Sequence, residues 1–255
     1  MQLRYLGDSH DFIKFALLRH LHDTLNVTLG VNWYLTCPKD VDRPNNQDGE
    51  QRHHMNGDEW REWKEKLFDE FTNFQELGSR SFGHFRKSSI LPPDTLYYEE
   101  QLKTTGDRSL WHKEAITALS GADLIFLDPD NGFQVPSWTK RTRPKYATYA
   151  EACAYLGCGK IVVGIQFARQ CNPVVRGSEI GNELVRRASC SSKLPILRGR
   201  ITPNILFLTL CPSKRIEEVR VALESFAQGS PLFKDKKTKK DARRVEVIPK
   251  PQSPL

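Results

Sequence analysis

Short apolar runs alternate along the chain with longer segments in which apolar residues recur every three or four positions. The short runs predict buried β-strands at residues 29–35, 96–98, 123–127, 160–166 and 205–210. The longer segments predict helices at residues 9–25, 58–76, 109–120, 144–156, 177–190 and 214–228. This alternation is typical of a largely parallel sheet covered on both faces. We therefore expect an α/β fold, a three-layer α/β/α sandwich of the Rossmann-like kind.

The pattern contains no internal repeat and no domain boundary, so we expect one catalytic domain over residues 1–232. Residues 233–255 are basic and Pro-rich and predict a mobile tail. The polar residues 39–57 form too long a connection to be idle, so they are either a functional loop or a disordered one. No apolar run approaches the roughly 18 residues that cross a bilayer, and no signal-peptide core is present. These features predict a cytoplasmic protein without membrane contact.

The balance of charge changes sign along the chain. Residues 1–133 carry 15 basic and 22 acidic side chains, whereas residues 134–200 carry 12 basic and 3 acidic ones. A basic surface beside an acidic centre suits an enzyme of a polyanion, because cations attract phosphates while carboxylates do chemistry. We therefore expect DNA as the partner and expect no protein partner. The alternative is a solvated basic surface that binds nothing.

The most promising chemistry lies in the loop Asp128-Pro129-Asp130-Asn131-Gly132, directly after a predicted buried strand. Ligands of such sheets bind beyond the carboxyl ends of the strands. Two carboxylates beside an amide can position water, stabilise a developing cation or hold a divalent metal. We predict that Asp128, Asp130 and Asn131 are catalytic. The alternative is an ordinary turn after a strand.

The first predicted helix begins with Asp8, Asp11 and Lys14, which are spaced three residues apart and share one face. We expect these side chains to line the same cleft as Asp128. The alternative is a helix cap followed by a solvated lysine. The histidines and cysteines lack the close spacing of a structural metal site, so no metal is expected.

Two basic segments are candidates for contact with the nucleic-acid backbone. The first is bounded by Pro136 and Pro144, which stiffen it, and the second is predicted to be a loop around Gly199. Phosphate contacts position a duplex without reading its sequence. The predicted contacts are Lys140, Arg141, Arg143, Lys145, Arg198 and Arg200.

The acidic loop resembles the catalytic signature of amino-methyltransferases that modify adenine or cytosine, an apolar strand followed by Asp-Pro-Pro-aromatic. The opening Gly-Asp-Ser-His-Asp-Phe-Ile-Lys at residues 7–14 is also similar to the first segment of a bacterial ribosomal-RNA adenine methyltransferase. The chain departs from that pattern at Asp130 and Asn131, which replace the second proline and the aromatic residue. Its first strand is followed by Thr-Cys-Pro-Lys and not by the Gly-rich turn that receives S-adenosylmethionine.

Taken together, Tyr-Leu-Gly-Asp-x-x-Asp-Phe-x-Lys and Phe-Leu-Asp-Pro-Asp-Asn-Gly resemble a bacterial family that includes antiphage DNA glycosylases of glucosylated hydroxymethylcytosine. The resemblance implies a hydrolase of the N-glycosidic bond of a modified base, which requires no methyl donor, metal or other cofactor. Such enzymes flip the target base out of the duplex. Three alternatives remain: an S-adenosylmethionine-dependent base methyltransferase, a metal-dependent nuclease that uses Asp128 and Asp130, and a non-catalytic nucleic-acid-binding module.

Overall fold

A computed structural model describes residues 1–43, 56–77, 80–189, 194–235 and 238–249 of the chain. Residues 44–55, which make up most of the polar segment predicted at 39–57, lie outside these ranges. The last six residues of the predicted tail also lie outside them. Within the described residues, no helix combines the length and the apolar character that crossing a bilayer requires.

The described residues form an α/β fold around a central sheet of seven strands. These strands are β1 (Leu29–Asn32), β2 (Leu96–Tyr98), β3 (Leu124–Leu127), β6 (Ile161–Ala168), β7 (Leu197–Gly199), β8 (Asn204–Leu210) and β11 (Val245–Val247). Their order in the sheet is β11-β7-β8-β6-β3-β1-β2. Strands β1, β2, β3 and β6 are mutually parallel, β8 runs antiparallel to β6, β7 antiparallel to β8, and β11 antiparallel to β7. Five of the seven strands therefore point in the same direction, and the sheet is mostly parallel, as predicted.

Two short pairs of strands stand outside this sheet. The parallel pair β4 and β5 follows the acidic loop, and the antiparallel pair β9 and β10 precedes β11. The bounds are β4 (Gly132–Phe133), β5 (Tyr146–Ala147), β9 (Leu232–Lys234) and β10 (Asp241–Arg243).

Five of the helices described below, α1, α5, α6, α7 and α8, begin where a side chain accepts hydrogen bonds from their free backbone N–H groups. Asp8 accepts hydrogen bonds from the N–H groups of His10 and Asp11 and begins the first helix at the predicted residue. Thr148 and Glu151 cap each other's backbone at another start. The helices are α1 (Ser9–Leu25), α2 (Pro38–Val41), α3 (Asp58–Trp63), α4 (Glu65–Glu76), α5 (Phe82–Lys87), α6 (Arg108–Ala118), α7 (Tyr149–Gly157), α8 (Pro173–Ala188) and α9 (Ile216–Gln228).

Alternate residues of the central strands enter two separate hydrophobic cores. In β3, Leu124 and Phe126 join a core with α1, α4 and α9, whereas Ile125 and Leu127 join a core with α6, α7 and α8. All four side chains are fully buried, which explains why the strand is apolar at every position and shows no alternation with polar residues.

The strand predicted at residues 29–35 ends at Asn32, and three predicted helices differ from the structure by a break or by four or more residues at one end. The helix predicted at residues 58–76 is broken at Lys64, and the break lets Trp60 pack against Phe12 while Trp63 packs against Phe226. The helix predicted from residue 144 begins only at Tyr149, because residues 143–147 form a 3-10 turn and strand β5. The helix predicted at residues 177–190 begins earlier, at Pro173, and Cys190 is outside the described residues.

The prediction of a mobile tail from residue 233 is wrong for the part that the structure describes. Residues 232–234 and 241–243 form the pair β9 and β10, and β11 completes one edge of the central sheet. Val245 is fully buried, and its backbone exchanges hydrogen bonds with the Ser230 hydroxyl at 2.8 and 3.0 Å. Lysines and prolines are frequent in this segment, so the short alternation of apolar residues at β11 did not predict a strand.

The two valines of β11 provide a matched test of this correction. Val245 is fully buried and Val247 is 39% exposed. We expect Val245→Ala to lower the free energy of unfolding by about 2 kcal/mol, because it removes buried methyl groups and leaves a cavity. The control Val247→Ala should change it by no more than about 0.5 kcal/mol. Urea unfolding measures both, and equal values would mean that this strand is not part of the folded core.

Candidate active site

A cleft of about 910 Å³ opens beyond the carboxyl ends of the parallel strands. Its walls come from the start of α1, the acidic loop after β3, the segment after β6 and the turn before β8. Asp8, Asp11, Lys14, Asp128, Asp130 and Asn131 all line it. The structure therefore brings together the six candidates that the sequence places in two segments more than a hundred residues apart.

Lys14 joins the two segments at the centre of the site. Its Nζ lies 2.8 Å from Asp11 Oδ1 and 2.8 Å from Asp128 Oδ1. All three side chains are nearly inaccessible to solvent. One buried ammonium thus links α1 to the end of β3, and the reading of Lys14 as a solvated side chain is wrong.

The neighbouring polar groups hold the start of α1 in place. The second carboxylate oxygen of Asp11, Oδ2, accepts a hydrogen bond from the Gly7 N–H at 2.8 Å. The Asp8 carboxylate caps the helix and lies 3.7 Å from the His10 ring. His10 in turn contacts the Pro203 carbonyl at 2.9 Å across the cleft. Asp8 therefore has the capping role that the sequence offers as an alternative, and it also lines the cleft.

Asp128 has one oxygen that the protein does not use. Its Oδ1 pairs with Lys14, and its backbone N–H donates to the Asn32 carbonyl at 3.0 Å. Its Oδ2 is buried and has no hydrogen-bond partner among the described residues. A buried oxygen without a partner costs free energy, so it calls for a ligand, a water molecule or a role in catalysis.

Burial and mutual charge shift the protonation of this cluster. Burial, with the nearby charges of Asp8 and Asp128, raises the pKa of Asp11 to about 7, although Lys14 opposes the shift. Burial acts to lower the pKa of Lys14, but the surrounding carboxylates outweigh it and raise that pKa. Burial acts to raise the pKa of Asp8, yet its contacts with His10 and the charge of Lys14 lower it. Asp11 is thus able to exchange a proton near neutral pH.

Asp130, the second predicted catalytic carboxylate, is occupied by contacts within the protein. Its Oδ1 lies 3.1 Å from the α-amino group of Met1. Its Oδ2 accepts hydrogen bonds from Gln2 at 3.2 Å and from the Thr36 hydroxyl at 3.0 Å, and Lys145 Nζ lies 3.9 Å away. These contacts anchor the acidic loop, so the geometry favours a structural role for Asp130.

The backbone of Asn131, a residue that lines the cleft, is fixed by hydrogen bonds. Its N–H donates to the Lys145 carbonyl at 2.9 Å, and its carbonyl accepts from Gln166 Nε2 at 3.2 Å. Gln166 Oε1 accepts from the Phe133 N–H at 2.9 Å. Gly132, with φ of 112°, allows this turn, because a Cβ there would overlap the Gln166 carboxamide.

The first predicted basic segment divides into exposed and paired cations. Lys140, Arg141 and Arg143 are exposed, and Arg143 lies over the Trp138 ring at 5.4 Å. Lys145 is different, because its Nζ lies 2.7 Å from Asp42 and it lines the cleft wall. Lys145 is therefore mainly a partner of carboxylates, and the first three remain candidates for contact with phosphates.

The second basic segment is not the loop that the sequence predicts. Arg198 lies within β7 and pairs with Glu246 at 3.0 Å. Arg200 pairs with Asp235 at 2.9 Å and with Glu246 at 3.0 Å. The carboxylates of Asp235, directly after β9, and of Glu246, in β11, already partner both guanidinium groups, which makes these arginines weaker candidates for phosphate contacts.

Several residues of the cleft are missed by the sequence predictions. Gln166 does not line the cleft, but it is a polar side chain inside an otherwise apolar strand, which is a signal for a role in positioning Asn131. Phe167 lies near the end of β6 and Arg169 directly follows it; β6 is adjacent to β3, so the rule that ligands bind at carboxyl strand ends applies to both residues as well. The His10 ring packs edge-on against Phe167 with centroids 5.2 Å apart. No sequence signal indicates that the turn Thr202–Pro203 closes the opposite wall.

The comparisons with known proteins add no assignment. No family model and no curated protein matches the sequence of this chain. The function must therefore be argued from the site itself.

The raised pKa of Asp11 predicts a pH dependence of stability. Because the folded protein binds this proton with a pKa of about 7, against 3.8 for an ordinary aspartate, the stability that the proton contributes is present in full below pH 3.8. This contribution to the stability is lost as the pH rises through about 7. We expect the free energy of unfolding of the wild type to fall over this range relative to that of Asp11→Asn.

Urea unfolding at a series of pH values measures this difference. Asp94→Asn is the control, because Asp94 is exposed and lies at a turn. The lowered pKa values of His20 and His112 act equally in all three proteins and cancel in the comparison. Parallel profiles for wild type and Asp11→Asn would contradict the assignment of the proton to Asp11.

Proposed function

We propose that this chain is a DNA glycosylase that hydrolyses the N-glycosidic bond of a modified base in the cleft beside Asp128. The observation that carries the proposal is the buried Asp128 carboxylate, with Oδ1 fixed by Lys14 and Oδ2 without a partner among the described residues. We also infer that the two cores form a three-layer, Rossmann-like sandwich, which would present such a site at the carboxyl edge of its sheet.

The free oxygen suits the charge that develops during the reaction. Cleavage of an N-glycosidic bond passes through a sugar with oxocarbenium character, and a fixed carboxylate stabilises that positive charge. Lys14 holds the carboxylate in position, so little reorganisation is needed when the charge appears. Around it, Asp8, Asp11 and Asp128 supply three carboxylates against one lysine. The local field therefore favours a cation in the cleft.

Residues of the same cleft can also position the attacking water and transfer the proton that the reaction requires. Hydrolysis adds the hydroxyl of water to the sugar carbon, breaks the carbon–nitrogen bond and transfers the remaining proton to the departing base. Asp11, with a pKa of about 7, can take up and release a proton near neutral pH. The Asn131 amide, at the cleft wall, provides a donor and an acceptor that could orient the water or the base.

The end of β1 argues against the methyltransferase alternative. Trp33 and Tyr34 follow this strand and are completely buried. The Tyr34 hydroxyl donates to Glu151 at 3.0 Å, and its ring packs against Trp111. Large side chains thus occupy the region in which a Gly-rich turn would receive S-adenosylmethionine.

The position of Lys14 argues against a metal-dependent nuclease. Its ammonium lies between the carboxylates of Asp11 and Asp128, where a divalent ion would have to bind. Asp130, which the nuclease alternative also requires, is held by Met1, Gln2 and Thr36. A non-catalytic module would gain nothing from the uncompensated burial of Asp128 Oδ2.

The proposal that DNA is the substrate rests on the distribution of positive charge. Exposed cations stand at the segment that follows the acidic loop, and Arg169 lies at the cleft itself, over the ring of Phe167. A flipped nucleotide is drawn from its duplex by groups that hold the flanking phosphates. The sequence resemblance adds a glucosylated hydroxymethylcytosine as the first base to test, and a cytoplasmic location follows for such an enzyme.

The catalytic assignment is tested by Asp128→Asn, which removes one charge without changing the shape of the side chain. We expect the release of the base from glucosylated DNA to fall at least about 100-fold, because the charge that stabilises the transition state is lost. Asp94→Asn, at an exposed turn, is the control and should retain full activity. Quantified release of free base measures both, and full turnover by Asp128→Asn would refute the assignment.

The DNA contact of the first basic segment is tested by the double variant Arg141→Ala/Arg143→Ala. Each lost phosphate contact should lower the slope of log affinity against log salt by about one, without changing base preference. The control is Lys103→Ala/Lys113→Ala, which removes the same charge from exposed positions near β2. An unchanged slope for the arginine variant would show that this segment is only a solvated surface.

A further inference from the structure

The pair β9 and β10, together with the described residues 235 and 238–240 between the two strands, forms what we call the C-terminal hairpin. Its register pairs Lys234 with Asp241 and Leu232 with Arg243. Three of its lysines, Lys234, Lys239 and Lys240, are exposed, and none of them has a carboxylate partner among the described residues. A cluster of unpaired cations remains available to an external anion.

The hairpin is held in position by specific contacts. Arg244 lies over the Phe233 ring at 3.9 Å and over the Trp60 ring at 4.7 Å, and it also pairs with Glu59. Asp235 accepts from the Thr238 N–H at 2.9 Å within the turn. The lysines are therefore presented on an ordered support, which lowers the entropic cost of binding.

The hairpin is also connected to the wall of the cleft. Asp235 pairs with Arg200 at 2.9 Å, and the Arg200 N–H donates to the Arg244 carbonyl at 2.8 Å. Two residues further along the chain, Thr202 begins the turn that lines the cleft. Arg200 thus connects the hairpin to the wall of the cleft. Its guanidinium group is not free to bind a phosphate, because it already pairs with Asp235 and Glu246.

We propose that the C-terminal hairpin is a second contact for the nucleic-acid backbone, in which Lys234, Lys239 and Lys240 bind phosphates that flank the nucleotide in the cleft. This inference rests on the proposed function for the identity of the polyanion. Phosphates on a duplex carry the complementary charge at regular spacing, and three released counterions give the contact its strength. The hairpin and the segment at residues 136–144 then hold the same substrate from different elements.

The test compares the wild type with the triple variant Lys234→Gln/Lys239→Gln/Lys240→Gln. Binding to random-sequence duplex DNA is measured between about 50 and 200 mM salt. We expect weaker binding at every salt concentration and a salt slope that is smaller by about 2 to 3. Lys87→Gln/Lys103→Gln/Lys113→Gln is the matched control, because it removes the same charge from exposed positions around β2, at the other edge of the sheet. The control should keep the wild-type slope.

Each outcome decides the proposal. An unchanged slope in the hairpin variant, or an equal loss in both triple variants, overturns it, and the thermal unfolding of each variant excludes misfolding as the cause. Lost binding to phosphatidylserine vesicles with intact binding to DNA would also overturn it, in favour of a membrane surface. Release of base by the wild type is assayed separately. If no base is released but the salt slope still depends on the hairpin lysines, the glycosylase proposal is refuted and the hairpin contact is supported.

Discussion

The buried ammonium of Lys14 between Asp11 and Asp128 is the interaction on which the rest of the site depends. It joins the first turn of α1 to the end of β3 at 2.8 Å on both sides. Removal of the Lys14 charge would leave the Asp11 and Asp128 carboxylates buried without compensation, which is far more costly than the loss of a surface ion pair. Since β3 lies between β1 and β6, this link sets the acidic cluster where three parallel strands end.

Asp128 and Asp130 lie in one short loop but have different roles, because their surroundings differ. Asp130 is satisfied by Gln2, Thr36 and the α-amino group of Met1, so it stabilises the loop and has little capacity left for a ligand. Asp128, two residues earlier, keeps a buried oxygen without a partner among the described residues. A fold tolerates such a cost where function requires it, and the well-satisfied neighbour offsets it.

The sequence predicts the α/β class and the place of the site because both depend on local patterns. Buried strands are apolar at every position, and Asp8 followed by apolar residues at helical spacing defines the start of α1. The state of each side chain depends on contacts distant in sequence, which no local pattern contains. Asp42 pairs with Lys145 across a hundred residues, and Glu246 pairs with Arg198 from the segment predicted to be a tail. The same lack of long-range information hid strand β11.

The charge asymmetry of the chain has a different meaning once the pairs are known. Net charge counts Arg198, Arg200 and Lys145 with the free cations, but carboxylates already neutralise them and they serve to hold the walls of the cleft. Under the proposed function, the cations on the segment after the acidic loop and on the C-terminal hairpin would release counterions from DNA, because they have no carboxylate partners among the described residues. The phosphates would then bind to these cations and the sugar to the carboxylates of the cleft, because the two sets of charges lie on separate elements of the fold.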